Sequence, residues 1–414
     1  MELPLSDFRR MEVAEFDTAK LLAHASRQAA ERGYQNFPIV DVDSHHYESE
    51  SIGEILDYMD DPVLQQLARS ARQANAKSVG MLPSGVGYQD MGGRVMRYAT
   101  RGMEQTEPGI QRDIALTRRW MDAIGIDVAV MFPTPMLQLG LHPQVEVEVA
   151  LARAYNRWLT ERVLAHEPRI RSMLYLPFND ADASYRMVQE FGASKGVVGF
   201  MVTSARHRPV HHNSYMKTYA LMEEMGLPLV FHAGLFWGRD KAMNTCNRFI
   251  AAHALGFSWS SILHCTNWLV NGMPERFPKL KTIWVESGLA WVPFLMQRLD
   301  NEWMMRSSEV PMLKRKPSDY MREMFYSTQR MEMVHNREAL ELTFKMINAE
   351  TQLMYSSDYP HWDTDLPSTI YDLPFLSEQA KRNILGGNAK RFFNLEPVLS
   401  ETKIKRLATR GAAD

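Results

Sequence analysis

Short apolar runs recur along this 414-residue chain, separated by stretches with helical spacing. The runs are Pro38–Asp43, Asp127–Phe132, Ser172–Leu176, Val197–Val202, Pro228–His232, Ser261–His264, Thr282–Glu286 and Leu353–Ser356. Most of these runs are continuous in apolar residues and do not alternate with polar ones. That pattern suits strands buried on both faces, as in a parallel sheet covered by helices. Between them, Val145 to Val163 places Val147, Leu151, Ala154, Tyr155 and Trp158 on one helical face. Asn213 to Met225 reads as a second helix, closed by Gly226 and followed by Pro228 at the start of a strand. Eight strands alternating with helices predict an α/β fold, a (β/α)8 TIM-type barrel.

The spacing also predicts the domain plan. Residues 1–37 read as an N-terminal helical extension, 38–395 as the barrel, and 396–414 as a C-terminal tail. Three segments exceed ordinary connections, at about 49–111, 235–260 and 289–352. They read as insertions after strands 1, 5 and 7, lying over the active face as sources of substrate contacts. The first contains a Gly-rich stretch, Met81 to Gly93, without a phosphate-binding pattern.

Composition narrows the function. The chain carries 47 basic and 49 acidic residues, with no basic block, which argues against nucleic acid as a partner. Met1 to Arg10 lacks the apolar core of a signal peptide, and no stretch is apolar enough to span a membrane. The expectation is a cytoplasmic protein acting on a small molecule. Two cysteines, Cys246 and Cys265, exclude a disulfide framework and a cysteine-rich zinc module. Any metal must be held by histidine and carboxylate. The 28 methionines suit core filling, and those between Met304 and Met333 would also suit a subunit interface.

Polar, metal-capable groups stand at the ends of several predicted strands. Asp43 and His45 are two apart, so a strand presents both to one side. His232 ends the fifth run and His264 the sixth. Asp358 and His361 follow the last one. Residues at C-terminal strand ends of a barrel read as catalytic, and this nitrogen and oxygen set suits a hard or borderline divalent ion. Glu286 reads as a hydrogen-bonding or ion-pair partner of the site in preference to a ligand. His46 points away from His45 on the strand, and His253 reads as structural. His207, His211 and His212 fall in a polar loop. Trp237 and Arg239 follow His232 and could hold an organic acid by stacking and a bidentate bond, although loop packing explains them equally well. No HExxH, GxSxG or phosphate-loop motif is present.

These stretches resemble the amidohydrolase superfamily, in its amidohydrolase-related branch of hydrolases and decarboxylases. The matching residues are Val42 to Glu48, Pro228 to Gly234, Asn271 to Leu280, Glu286 to Pro293 and Ser357 to His361. The resemblance implies a barrel with one or two divalent metals. It implies Asp43, His45, His232 and Asp358 as ligands, and His264 as a ligand or acid–base group. Two-zinc members often bridge the ions with a carboxylated lysine on strand four. Here that strand ends in Val202-Thr203, so one metal is the default unless Glu48 bridges a second. Zinc is the first expectation, with manganese or iron as alternatives. Decarboxylases of this branch continue the strand-six histidine as His-x-Gly-Glu or His-x-Gly-Gly, whereas this chain has His264-Cys265-Thr266-Asn267.

The leading expectation is therefore hydrolysis of a small, carboxylate-bearing organic substrate by a metal-activated water. Asp358 or His264 would act as the base. Three alternatives stand beside it. They are non-oxidative decarboxylation of a small carboxylic acid, oxygen-dependent hydroxylation by iron or manganese, and a non-catalytic subunit paired with an active paralogue. A homo-oligomer, or a hetero-oligomer with a related barrel subunit, is expected.

Overall fold

The computed structural model describes residues 18–74, 106–203, 208–232, 242–332, 336–361, 363–396 and 403. Eight parallel strands follow one another in sequence order: β1 Val40–His46, β2 Val128–Pro133, β3 Ile170–Tyr175, β4 Val197–Thr203, β5 Leu229–His232, β6 Thr282–Val285, β7 Phe325–Ser327 and β8 Leu353–Met354. Each pairs in parallel with the next. Strands β1 and β8 meet through Val42 N–H to Tyr355 O (3.0 Å), Asp358 N–H to Asp43 O (2.8 Å) and His45 N–H to Tyr359 O (2.8 Å). The result is a nearly closed (β/α)8 barrel with helices outside, as the alternation of runs predicts.

Local chemistry explains the helix ends. The Gln111 side chain accepts from Ile114 N–H and opens Arg112–Ile124, and Asp180 does the same for Ala181–Phe191. Gly226, at φ 69°, closes Met216–Met225 in the left-handed conformation. Val145–Trp158 is helical, and Leu159–Leu164 extends it as a wider π turn. The N-terminal helix Thr18–Glu31 precedes Arg32, whose guanidinium grips Asp372 with two bonds of 2.8 and 2.7 Å. No described helix is long and apolar enough to cross a membrane.

Two elements differ from expectation. Ser261–His264 is not a strand. It lies inside Phe249–Val270, a 22-residue helix without a single Asp, Glu, Lys or Arg. With no charged stripe, its helical period is masked and a short apolar piece mimics a buried strand. Thr282–Val285 is consequently the sixth strand. The seventh, Phe325–Ser327, is three residues long and falls inside the stretch 289–352, which is therefore not one uninterrupted insertion. A strand that short leaves almost no pattern to read.

The long helix docks on β5 and β6 through aromatic packing. Trp268 meets Tyr219 and Phe231 edge-on, with ring centroids 5.3 and 5.4 Å apart. Phe231 stacks on Trp284 of the neighbouring strand at 4.1 Å. Leu263 is 39% exposed, whereas Trp268 is buried. Trp268→Ala should cost about 3–5 kcal/mol in urea unfolding, the usual range for a buried tryptophan. Leu263→Ala should stay within about 0.5 kcal/mol. A large loss at Leu263 with a small one at Trp268 would contradict this helix placement.

Candidate metal centre

Strand β1 is buried along its whole length, and its pairing with β2 shifts between Asp41 and Ser44. It carries Asp43 and His45 into the barrel mouth and turns His46 outward. His46 there bonds Asp113 (2.9 Å) and Tyr155 (2.8 Å) and stacks on Trp158, so it is structural. Strand β5 delivers His232, and the turn after β8 delivers Asp358, with φ 57°.

Donor atoms gather in two sets that share His45. Asp43 Oδ1 lies 3.3 Å from His45 Nε2 and 3.3 Å from His232 Nε2. His45 Nε2 is 3.1 Å from His232 Nε2 and 3.3 Å from Asp358 Oδ1. Atoms bound about 2.1 Å from one ion sit roughly 3.0–3.4 Å apart in octahedral or tetrahedral spheres, so these spacings suit a shared cation. Asp43, His45 and His232 form one group able to hold an ion, and His45, Asp358 and His361 an overlapping one.

The tautomers agree with this. His45 Nδ1 is 2.9 Å from the Pro133 carbonyl, which can only accept. Nδ1 therefore carries the proton, and the Nε2 lone pair faces the cluster. His232 Nδ1 lies 3.7 Å from Glu286 Oε2, so Glu286 stands behind this ring. The second oxygens of Asp43 and Asp358 are buried and make no hydrogen bond. Buried acceptors without donors are costly, and a cation would satisfy them.

Electrostatics points the same way. Burial alone would raise Asp43, but the His232 and His45 imidazoles outweigh it and hold the carboxyl below its usual range. Asp358 is pushed well up by burial and by the nearby Asp363 and Asp43. Glu286 is raised by burial and by Asp358. Several carboxyls thus crowd one dry space, and the donor types in the two overlapping groups, nitrogen and oxygen only, suit a divalent metal.

His361 completes the cluster. Its Nδ1 is 2.8 Å from Asp358 Oδ1, its Nε2 is 3.2 Å from Thr134 Oγ1, and its ring stacks on His45 at 4.2 Å. Beyond Glu286 lies Arg330, on the turn after β7. It bonds His253 Nδ1 (2.8 Å) and approaches Asp363 (3.0 Å) and Glu286 (3.4 Å), with its guanidinium 4.3 Å from the Phe257 ring centre. Arg330 and Asp363 escape a sequence reading because β7 itself does. The acidic residue two past His361 is the only hint.

Several expected site residues fall elsewhere. His264 sits on the long helix with its ring 6.0 Å from Phe231, on the outer side of the strand that turns His232 inward. It is not at a strand end and does not join the ligands. Glu48 joins neither group able to hold an ion. Its two oxygens accept the backbone N–H groups of Thr134 (2.8 Å) and Met136 (2.5 Å), and burial pushes its pKa up to about 7. His212 caps a surface turn at Ser214. Trp237, Arg239 and His207 lie outside the described residues.

A family model described as Amidohydrolase matches residues 107–395. The γ-resorcylate decarboxylase of Polaromonas sp. strain JS666 is 24% identical over 67% of this chain and 86% of that relative. The 2-amino-3-carboxymuconate-6-semialdehyde decarboxylase of Dictyostelium discoideum is 21% identical over 66% of this chain and 74% of its own. Among solved structures, a dihydroxybenzoic acid decarboxylase from Polaromonas sp. JS666, with bound manganese and 2-nitroresorcinol, superposes with a TM-score of 0.61. It has 18% identity, covering 87% of this chain and 97% of that one. The chain belongs to the amidohydrolase family.

Burial pushes His45 down to about 3, with His361 adding to it, and pushes His361 down to about 4 against the pull of Asp363. Above pH 6.5 the folded and unfolded chains both hold these rings neutral. Below it the unfolded chain takes up protons that the folded one refuses until about pH 4 for His361. Metal-free wild-type protein should therefore lose stability relative to His361→Gln as pH falls from about 6.5 to about 4. Carboxyl groups common to both chains cancel in the comparison. Urea midpoints that differ by a constant amount across that window would refute the assignment of a neutral, buried His361.

Proposed function

We propose that this member of the amidohydrolase family is a metal-dependent, non-oxidative decarboxylase of a small carboxylic acid. The observation that carries the reading is that the relatives matched over 86% and 74% of their own lengths are decarboxylases. Decarboxylation is preferred to hydrolysis on that ground. The hydrolytic scheme also loses His264 as its carbonyl-polarising group, since that ring lies in the helical layer. Oxygen chemistry at two metals asks Glu48 to bridge, and its oxygens are committed to two backbone amides.

Asp43, His45, His232 and Asp358 would hold the ion, with manganese proposed ahead of zinc because a neighbouring structure binds it. Its charge would draw the substrate carboxylate and an adjacent oxygen into place and stabilise the electron pair left behind. Loss of carbon dioxide breaks a carbon–carbon bond and leaves that pair on the substrate carbon, which must then take up a proton. Asp358, one of these ligands, is hydrogen-bonded to His361, and the pair is suited to deliver it. Thr134 fixes the far nitrogen of His361, so the ring keeps its orientation. Burial of Asp43, His45 and Asp358 keeps bulk water from the reacting carbon. A subunit association with a second copy or a related barrel is compatible with this reading and unnecessary for it.

Manganese-loaded protein should release carbon dioxide in equal amount to the acid consumed, without oxygen uptake. Hydroxylated benzoic acids and amino-carboxymuconate semialdehydes are the first substrates to offer. His361→Gln should retain its metal and lower kcat by about 10²–10⁴, the range of a lost general acid. An oxygen requirement, or a product carrying a new water-derived oxygen, would defeat the reading.

A further inference from the structure

We propose that Asp41 is a positioning residue that sets the spacing of Asp43 and Asp358 across the seam of the barrel. Seven neighbouring strand pairs have parallel ladders, from β1–β2 to β7–β8. The β1–β8 junction is different. Strand β8 is two residues long, and the chain leaves it before reaching Asp358. The two metal-facing carboxylates therefore stand on opposite sides of the least regular junction in the barrel.

Asp41 spans that junction. Its Oδ1 accepts from Asp43 N–H (3.1 Å) and from Ser357 N–H (3.0 Å). Its Oδ2 bonds the Ser357 hydroxyl at 2.5 Å. Ser357 Oγ in turn accepts from Tyr359 N–H at 3.0 Å. One side chain thus grips the backbone of one ligand and of the residue immediately before the other. It also supports the Asp358 turn, whose left-handed φ of 57° a non-glycine residue keeps only when its surroundings hold it. Asp41 is fully buried and belongs to neither ligand group, so it acts through Asp43 and Asp358 and not on the ion.

The proposal rests on the metal centre and not on the reaction, so decarboxylation can fail while it stands. The test is Mn²⁺ binding by titration calorimetry and by the electron paramagnetic resonance of bound Mn²⁺, with urea unfolding of the metal-free protein beside it. Asp41→Ala should weaken Mn²⁺ binding by about 10–100-fold, the usual effect of losing a group that orients ligands. Asp41→Asn keeps an oxygen for both N–H groups and should return most of the affinity. Ser357→Ala removes the hydroxyl bond alone and should fall between. A folded Asp41→Ala protein with wild-type Mn²⁺ affinity, even at lowered stability, overturns the proposal. If that variant does not fold, unchanged affinity in Ser357→Ala overturns it.

Discussion

The structure depends on one electrostatic constraint: two imidazole nitrogens lie 3.1 Å apart, with Asp43 Oδ1 3.3 Å from both and Asp358 Oδ1 3.3 Å from that of His45, all buried. A ring nitrogen whose partner nitrogen already carries the proton offers a lone pair. The His45 lone pair and the Asp43 carboxylate, held below its usual range by the imidazoles, together make a ready seat for a cation in that dry space. Everything around the cluster is arranged to keep it so. The Pro133 carbonyl holds the His45 tautomer, Glu286 stands behind His232, and a third imidazole, His361, holds Asp358. The barrel supplies directions for these groups that loops alone could not, because each ligand stands on or just beyond a strand end.

The next shell disposes of the charge that this concentration creates. Glu286 and Asp363 add two more carboxyls beside Asp358, and Arg330 lies against both. The Arg330 guanidinium, packed over Phe257, neutralises one side of the cluster and ties the β6, β7 and β8 turns together. Positive charge is thus provided on the Glu286 side, whereas the ligand side needs the metal. Glu48 does a different job in the same neighbourhood. By accepting from Thr134 and Met136, it shapes the turn that brings Thr134 to His361.

The legible part of this protein was legible for physical reasons. Strands buried on both faces write continuous apolar runs, and seven of the eight predicted runs coincide with strands in the structure. Asp43, His45, His232 and Asp358 follow such runs directly, so their convergence could be inferred from barrel geometry. Glu286 was recognised as a supporting group. His264 was misplaced because an uncharged helix hides its own period, and correcting that error promotes the next run to sixth strand. Glu48, a possible bridge three residues from His45 in sequence, follows a turn after His46 and points at the turn beyond β2. Arg330 and Asp363 were invisible because a three-residue strand positions the first and a turn positions the second.

Asp41 marks the deeper limit of a sequence reading. It sits on the same strand as Asp43 and looks, in sequence, like another acidic candidate for the metal. Only the structure separates them: Asp43 leaves one oxygen without a hydrogen bond, while both oxygens of Asp41 are taken. The distinction is one of satisfied against unsatisfied acceptors. A carboxylate with both oxygens engaged by the protein, as in Asp41, is placed to serve as a rivet. Asp43 keeps one oxygen unmet while the other stands between the two imidazoles, so it is available to bind. The difference separates Asp41 from Asp43; Glu286 and Asp363 also leave one oxygen unmet, and their charged partner is Arg330.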